Sequence, residues 1–257
     1  MSDFAIETIQ LTKEYTSKGV KILALDNLNL KIKQGEIYGL LGENGAGKTT
    51  FVRAATTMIR PTFGSVSILG LNSLEHSEEI RRLVGVLPQD AGLYEEFTVW
   101  ENLSYFAKLH NIENSNQHIQ ELIDLVGMND RVHQRADSLS GGLKRRVCLA
   151  RTLIGNPKVI FLDEPTTGLD VLVSRKVRSL IQKLANVSHA TVVLSTHNMF
   201  EAEKICTRVG ILNKGRLIAE DTPEGIINNH RTSSTDNLED VVAHMIGYDQ
   251  DEKGGDE

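Results

Sequence analysis

Apolar positions along this chain alternate at first and later recur at helical spacing, and the change of period divides it into segments. Residues 4–11 and 23–32 read as strands. In the second, Leu23 and Leu25 lie on one phase and Leu28, Leu30 and Ile32 on the other, with polar Asp26 and Asn27 between. A bend or bulge at that pair reconciles the two phases. Residues 36–41 are apolar on both faces from Ile37 onward, as in a strand buried in the middle of a sheet. A glycine-rich turn follows, and residues 48–59 place Val52, Ala55 and Ile59 at spacings of 3 and 4. The order is strand, glycine loop, helix.

Pro61 and Gly64 interrupt the chain before a short strand at 65–69. Between about 91 and 156 the pattern is helical, over 99–109, 119–126 and 143–154; in the last, Leu143, Val147, Ala150 and Ile154 share one face. An α/β pattern then resumes: a strand at 158–163, a helix at 173–184, and strands at 191–195, 209–212 and 216–219. A final helix is predicted at 237–246. The fold class expected is α/β: a mainly parallel sheet preceded by an N-terminal antiparallel β subdomain and interrupted by an α-helical subdomain at about 91–156. The organisation expected is one domain over 1–225, a helical extension over 226–246 and an acidic, disordered tail over 247–257.

Composition narrows the function classes. No run approaches the roughly 18 consecutive apolar residues that a spanning helix requires. The first seven residues hold neither a basic start nor an apolar signal core, so the reading is a protein that stays in the cytoplasm. Net charge is −6, of which residues 247–257 carry five acids against Lys253, leaving a nearly balanced body. That balance argues against nucleic-acid binding through a basic face. Cys148 and Cys206 form no CxxC pair and sit in no histidine cluster, so both read as core-filling thiols.

The chemistry starts at Gly42-Glu43-Asn44-Gly45-Ala46-Gly47-Lys48-Thr49, followed by Thr50. Glycines let successive backbone N–H groups point into one concavity, and the helix N-terminus adds positive potential. Lys48 then reaches the β- and γ-phosphates of a nucleotide, and Thr49 can ligate Mg2+. Asp163 and Glu164 end the apolar run Val159-Ile160-Phe161-Leu162, at the strand tip where α/β sheets bind ligands. Asp163 there suits magnesium, and Glu164 suits the general base or the group that orients the attacking water.

Leu139-Ser140-Gly141-Gly142-Leu143, twenty residues before Asp163, resembles the signature motif of ABC-type ATPases. A Ser followed by two Gly at a helix start is chemically a second anion site, and the resemblance implies that it serves the nucleotide of a partner chain. The resemblance runs from residue 4 to about 225. It implies that Tyr15 stacks on adenine, that Gln89 is the Gln-loop residue facing metal and water, that Asp170 belongs to the D-loop, and that His197 is the switch histidine. Two positions depart from the usual pattern: Leu143 where many members carry Gln, and Val171 where Pro is common. Residues 93–103 and 237–241 are similar to the branch that exports drugs, sodium and polysaccharide-type cargo.

The function so implied is the ATP-binding and hydrolysing subunit of a transporter, with ATP and Mg2+ as cofactors. It works as a head-to-tail dimer, a homodimer, and drives a separate membrane permease for export from the cytoplasmic face of the membrane. The alternative is a soluble ATPase of a non-transport assembly, such as an iron–sulfur scaffold. A GTP-binding switch is disfavoured, because Asn213-Lys214-Gly215-Arg216 has Arg where guanine recognition needs Asp.

Overall fold

The opening alternation folds into a long hairpin, in which β1 (Phe4–Ser17) pairs antiparallel with β2 (Val20–Lys33). The pairing moves from Leu11↔Leu28 to Lys13↔Leu25, so β2 holds one extra residue at Asp26 and Asn27, where Asn27 has φ 52°. This is the bulge that the two apolar phases required. The computed structural model describes residues 3–17, 19–89 and 92–247; the acidic segment beyond Gly247 lies outside them.

After the hairpin come β3 (Ile37–Leu41), α1 (Lys48–Ala55), β4 (Phe63–Ile68), β5 (Leu71–Asn72), α2 (Ser77–Leu83) and β6 (Val84–Leu87). Helices α3 (Val99–Leu109), α4 (Ser115–Val126) and α5 (Gly141–Thr152) follow. The chain then runs through β7 (Val159–Asp163), α6 (Val171–Ser188), β8 (Thr191–Thr196), α7 (Met199–Ile205), β9 (Arg208–Asn213) and β10 (Arg216–Asp221), and ends with α8 (Pro223–His230) and α9 (Leu238–Ile246). One sheet is antiparallel, in the order β2-β1-β4-β5. The other runs β10-β9-β3-β8-β7-β6, parallel except for the β9–β10 hairpin. The architecture is the α/β class read from the sequence.

Strand alternation in the larger sheet builds a core on each face. Tyr38 and Leu40 of β3, Phe161 of β7 and Val193 of β8 pack with Phe51 of α1 against the antiparallel sheet, meeting Ile6, Leu11, Leu25, Leu28 and Ile32. Leu41, Ile160, Leu162, Val192 and Leu194 point the other way, into a core shared with helices α3 to α9. Every residue of β3, β7 and β8 is buried, which is why the pattern showed continuous apolar runs there.

Some boundaries differ from the pattern. Helix α1 stops at Ala55 instead of 59: Thr56 turns its hydroxyl onto the Val52 carbonyl at 2.7 Å, and Thr57 takes φ 62°. The final helix starts one residue inside its expected range because Asn237 is its N-cap, in a reciprocal capping box with Asp240. Helices α2, α7 and α8 were not foreseen, each being eight residues or fewer. Asn213 to Arg216 is a two-residue hairpin turn with Lys214 at φ 48° and Gly215 at φ 81°. Cys148 and Cys206 are buried thiols outside any disulfide, as expected.

Phe161 is fully buried, edge-on to Phe51 at 6.5 Å, two residues before Asp163. Phe161→Ala is expected to lower unfolding stability by about 3–5 kcal/mol in urea denaturation followed by circular dichroism. A loss below about 1 kcal/mol would show that the inter-sheet core does not anchor β7.

Candidate functional site

Parallel register decides what meets at the edge of the larger sheet. Leu41 stands beside Thr196, and Asp163 beside Ser195, so the segments leaving β3, β7 and β8 emerge together. These are the glycine loop, Glu164 and His197. Ligands of open α/β sheets bind at such carboxyl ends.

The glycine loop needs its glycines for two physical reasons. Gly42, Gly45 and Gly47 have φ of 151°, 86° and 112°, backbone states that side chains disfavour. A Cβ on Gly47 would also stand 2.5 Å from the Ala24 carbonyl, so β2 passes close behind the loop. The β9–β10 turn braces it as well, Gly215 N–H donating to the Ala46 carbonyl at 2.9 Å. Helix α1 has Gly47 as N-cap with no side-chain cap, and its first residues, Lys48, Thr49 and Thr50, line the cleft, so its N-terminal potential acts there.

Lys48 is 6% exposed and folds back so that Nζ donates to the carbonyls of Gly42 at 2.6 Å and Glu43 at 3.0 Å. Glu164 Oε1 lies 3.9 Å from the same ammonium. Burial pushes the Lys48 pKa down, while Glu164, Asp163 and Glu43 pull it up; burial prevails. An anionic ligand entering the cleft would supply the charge that this desolvated ammonium lacks.

Asp163 holds two hydroxyls: Thr49 Oγ1 donates to Oδ2 at 3.1 Å, and Ser195 Oγ donates to Oδ1 in a short bond. Thr49 and Asp163 together present hard oxygen donors that suit Mg2+. Glu164 has φ 47°, a strained state worth roughly 1–3 kcal/mol for a side-chain residue. Bonds on every side hold it there. Its N–H donates to the Ser195 carbonyl at 2.9 Å, Thr167 Oγ1 donates to Oε2 at 2.9 Å, and His197 N–H donates to Oε1 at 3.2 Å. His197 Nδ1 lies 2.8 Å from that same oxygen, with the imidazole half exposed.

Glu43, Asn44, Gly45, Gly47, Lys48, Thr49, Thr50, Gln89, Asp163 and Glu164 line one cleft with Ala24. Gly42 and Ala46 stand behind it in the loop, and Ala46 is buried. The cleft measures about 130 Å³. Small-molecule sites usually span about 300–1,000 Å³, so this cleft is smaller than the usual site for a whole small molecule. Tyr15 is not in the wall. It pairs with Ile22 on the hairpin, beyond a second register shift that leaves Ala24 without a partner in β1, and lies under the ammonium of Lys13 at 5.1 Å from its ring.

Two expected groups stand apart. Asp170 is the N-cap of α6, accepting from Val173 N–H at 2.9 Å. Ser140 is the exposed N-cap of α5 with no side-chain capping bond, and none of Ser140, Gly141 and Gly142 lines the cleft. Gly141 has open space around it, whereas a Cβ on Gly142 would meet Val173 Cγ1 at 2.5 Å. Ser195 and Thr167, which hold Asp163 and Glu164, were not foreseen from the sequence; Ser195 lay inside a predicted strand, and only register puts it opposite Asp163.

Residues 25–167, over half of the chain, match the family described as ABC transporter. Over 84% of its length the chain is 39% identical to the bacitracin transport ATP-binding protein BcrA of Bacillus licheniformis, covering 69% of that protein. It is 37% identical over 89% of its length to the Nod factor export ATP-binding protein I of Mesorhizobium japonicum, covering 66% of it. A methionine import ATP-binding protein of Shouchella clausii is 35% identical over 90% of this chain and 68% of its own length. The chain thus spans about two thirds of these relatives. Among solved structures, a dimeric ATP-binding cassette in a post-hydrolysis state with ADP and Pi superposes at a TM-score of 0.75; it is 28% identical and covers 84% of this chain and 98% of that one.

Removing the Lys48 ammonium while keeping the glycine loop is expected to weaken binding of a nucleoside triphosphate about a hundredfold or more, the scale of one or two charged hydrogen bonds. Titration of Lys48→Ala with a fluorescent ATP analogue checks this. Affinity within about threefold of wild type would contradict phosphate binding at this loop.

Proposed function

The chain belongs to the ABC transporter family and is an ATPase, and from that premise we propose that it is the nucleotide-binding subunit of a membrane transporter. In this reading two copies close head to tail around two ATP molecules, and the closure drives a separate permease. One observation carries it: the chain holds two glycine-flanked helix starts suited to phosphate, and they do not share a cleft. Lys48 and the loop serve one nucleotide, whereas Ser140, exposed and uncapped, serves the nucleotide of the partner.

The residue roles follow from the geometry. Loop amides and Lys48 bind the β- and γ-phosphates, and Thr49 with Asp163 and Gln89 would hold Mg2+, which supplies charge neutralisation at the phosphates. Glu164 orients the attacking water and accepts its proton, its carboxylate held in place by Thr167 and His197. Tyr15 offers a π face to adenine, a contact worth about 1 kcal/mol. Residues 1–225 form the ATPase domain with the helices of 91–156 inserted, and 226–246 form an extension.

Membrane attachment through a permease has its own support. No described helix is long and apolar enough to cross a membrane. Tyr94, Phe97 and Tyr105 are exposed by 36–46% and stack within 5.0–6.3 Å of one another, shortly after the Gln89 segment. Beside them a hollow of about 320 Å³ is lined by Pro88, Phe106, His110 and Arg151. An exposed aromatic patch of this kind suits a protein partner. The transport names of the relatives favour this reading over a scaffold ATPase. Export is the direction proposed, on the Nod factor relatives; the methionine-import relative marks the opposite direction, which transport into or out of vesicles holding the permease would separate.

Glu164→Gln keeps the size and hydrogen bonding of the side chain and removes its basicity. ATP is expected to bind this variant and hold a stable dimer on size-exclusion chromatography, with turnover reduced about a hundredfold or more. Native turnover, or a monomer at saturating ATP, would contradict the proposed role.

A further inference from the structure

Helix α5 carries Lys144, Arg145 and Arg146 in a row, and they point to different surroundings. Lys144 reaches Glu95 at 3.0 Å, and Arg146 lines a separate surface hollow with Lys176 and Lys183. Arg145 instead turns inward to the sheet edge. Its Nε donates to the Pro165 carbonyl at 2.9 Å, Nη1 to the carbonyls of Pro88 and Gln89 at 3.2 Å each, and Nη2 to those of Asp163 and Glu164 at 2.9 Å each. A guanidinium has five N–H groups in a planar fork, and five backbone carbonyls receive them here.

Those carbonyls are the ones the sheet leaves behind. The β6–β7 ladder ends at Leu87↔Leu162, so Pro88, Gln89 and the run from Asp163 to Pro165 extend past the last strand pairing between them. Arg145 replaces that pairing with a charge-assisted bridge across the two strand ends. One of the bridged residues is Glu164, whose left-handed backbone, φ 47°, must be held for its carboxylate to face the cleft. Another is Gln89, in the cleft wall. The bridge is anchored on the helix whose N-terminus is Ser140.

We propose that Arg145 is a positioning residue for hydrolysis: its guanidinium ties the backbone of Gln89 and Glu164 to helix α5, so that the alignment of Glu164 follows the seating of Ser140, Gly141 and Gly142. The inference rests on the ATPase reading and assigns a connection between its two halves. Lysine cannot substitute, because its three donors radiate from one atom and cannot span both strand ends.

The test is steady-state ATP hydrolysis by the full chain carrying Arg145→Ala or Arg145→Lys, with wild type and Glu164→Gln alongside to establish the hydrolysis itself. Phosphate-loop contacts are untouched, so KM for ATP is expected to stay within about threefold while kcat falls about tenfold or more in both variants. Millimolar methylguanidinium is expected to restore kcat several-fold in Arg145→Ala and to do nothing for Glu164→Gln. A packing role predicts the reverse: kcat loss that parallels the loss of folded protein in thermal melts, and no rescue. If Arg145→Ala does not fold, Arg145→Lys, which keeps the charge and most of the volume, decides the matter through its kcat at an unchanged melting temperature. Wild-type kcat in either folded variant, or a kcat loss explained by unfolding alone, would overturn the proposal.

Discussion

Lys48, Asp163 and Glu164 are each no more than 6% exposed and stand together at one sheet edge, an arrangement that costs free energy unless every charge is matched. The match is incomplete within the chain. The ammonium takes two loop carbonyls and a distant carboxylate, and its pKa is lowered by burial. In the proposed function, the phosphates of a nucleotide would supply the anionic partner that the ammonium lacks. Much of the architecture serves to hold this unbalanced cluster: two cores fix three fully buried parallel strands, β2 and the β9–β10 turn support the glycine loop from behind, and Ser195, Thr167 and His197 fix the acids. The stability of the fold is in this sense spent on keeping the site poised.

The parallel strands were legible because both of their faces are buried, which leaves an unbroken apolar run in the sequence. The bulge at Asp26 and Asn27 was legible for the opposite reason, since β2 has one wet face and a change of phase cannot hide. Helices α2 and α7 were not, because seven residues make barely two turns and show no period. In the site, the glycines, Lys48 and the two acids sit in contiguous motifs that spell out their chemistry locally. Ser195 and Arg145 act through tertiary placement alone. A serine near a strand end and an arginine in a basic run look like ordinary residues until the register of β7 with β8, and the end of the β6–β7 ladder, show what lies opposite.

The distance between the two glycine-flanked helix starts has a functional consequence. The cleft of about 130 Å³ is formed by one chain, and none of Ser140, Gly141 and Gly142 lines it. In the proposed function, exclusion of water and alignment of the γ-phosphate fall to a second surface, and Ser140 with its neighbours is chemically suited to be one. The proposed division, binding by a single chain and hydrolysis by two, is in keeping with the dimeric cassette that this fold resembles.

Mixing two inactive variants measures that division directly. A Ser140→Arg chain keeps the phosphate loop and spoils the signature surface; a Lys48→Ala chain does the opposite. If the site is shared, neither hydrolyses ATP alone, and their mixture regains activity from one composite site, at less than half the wild-type rate because the two sites are coupled. Wild-type turnover by Ser140→Arg alone, independent of protein concentration, would contradict the account and leave an ATPase that works within one chain.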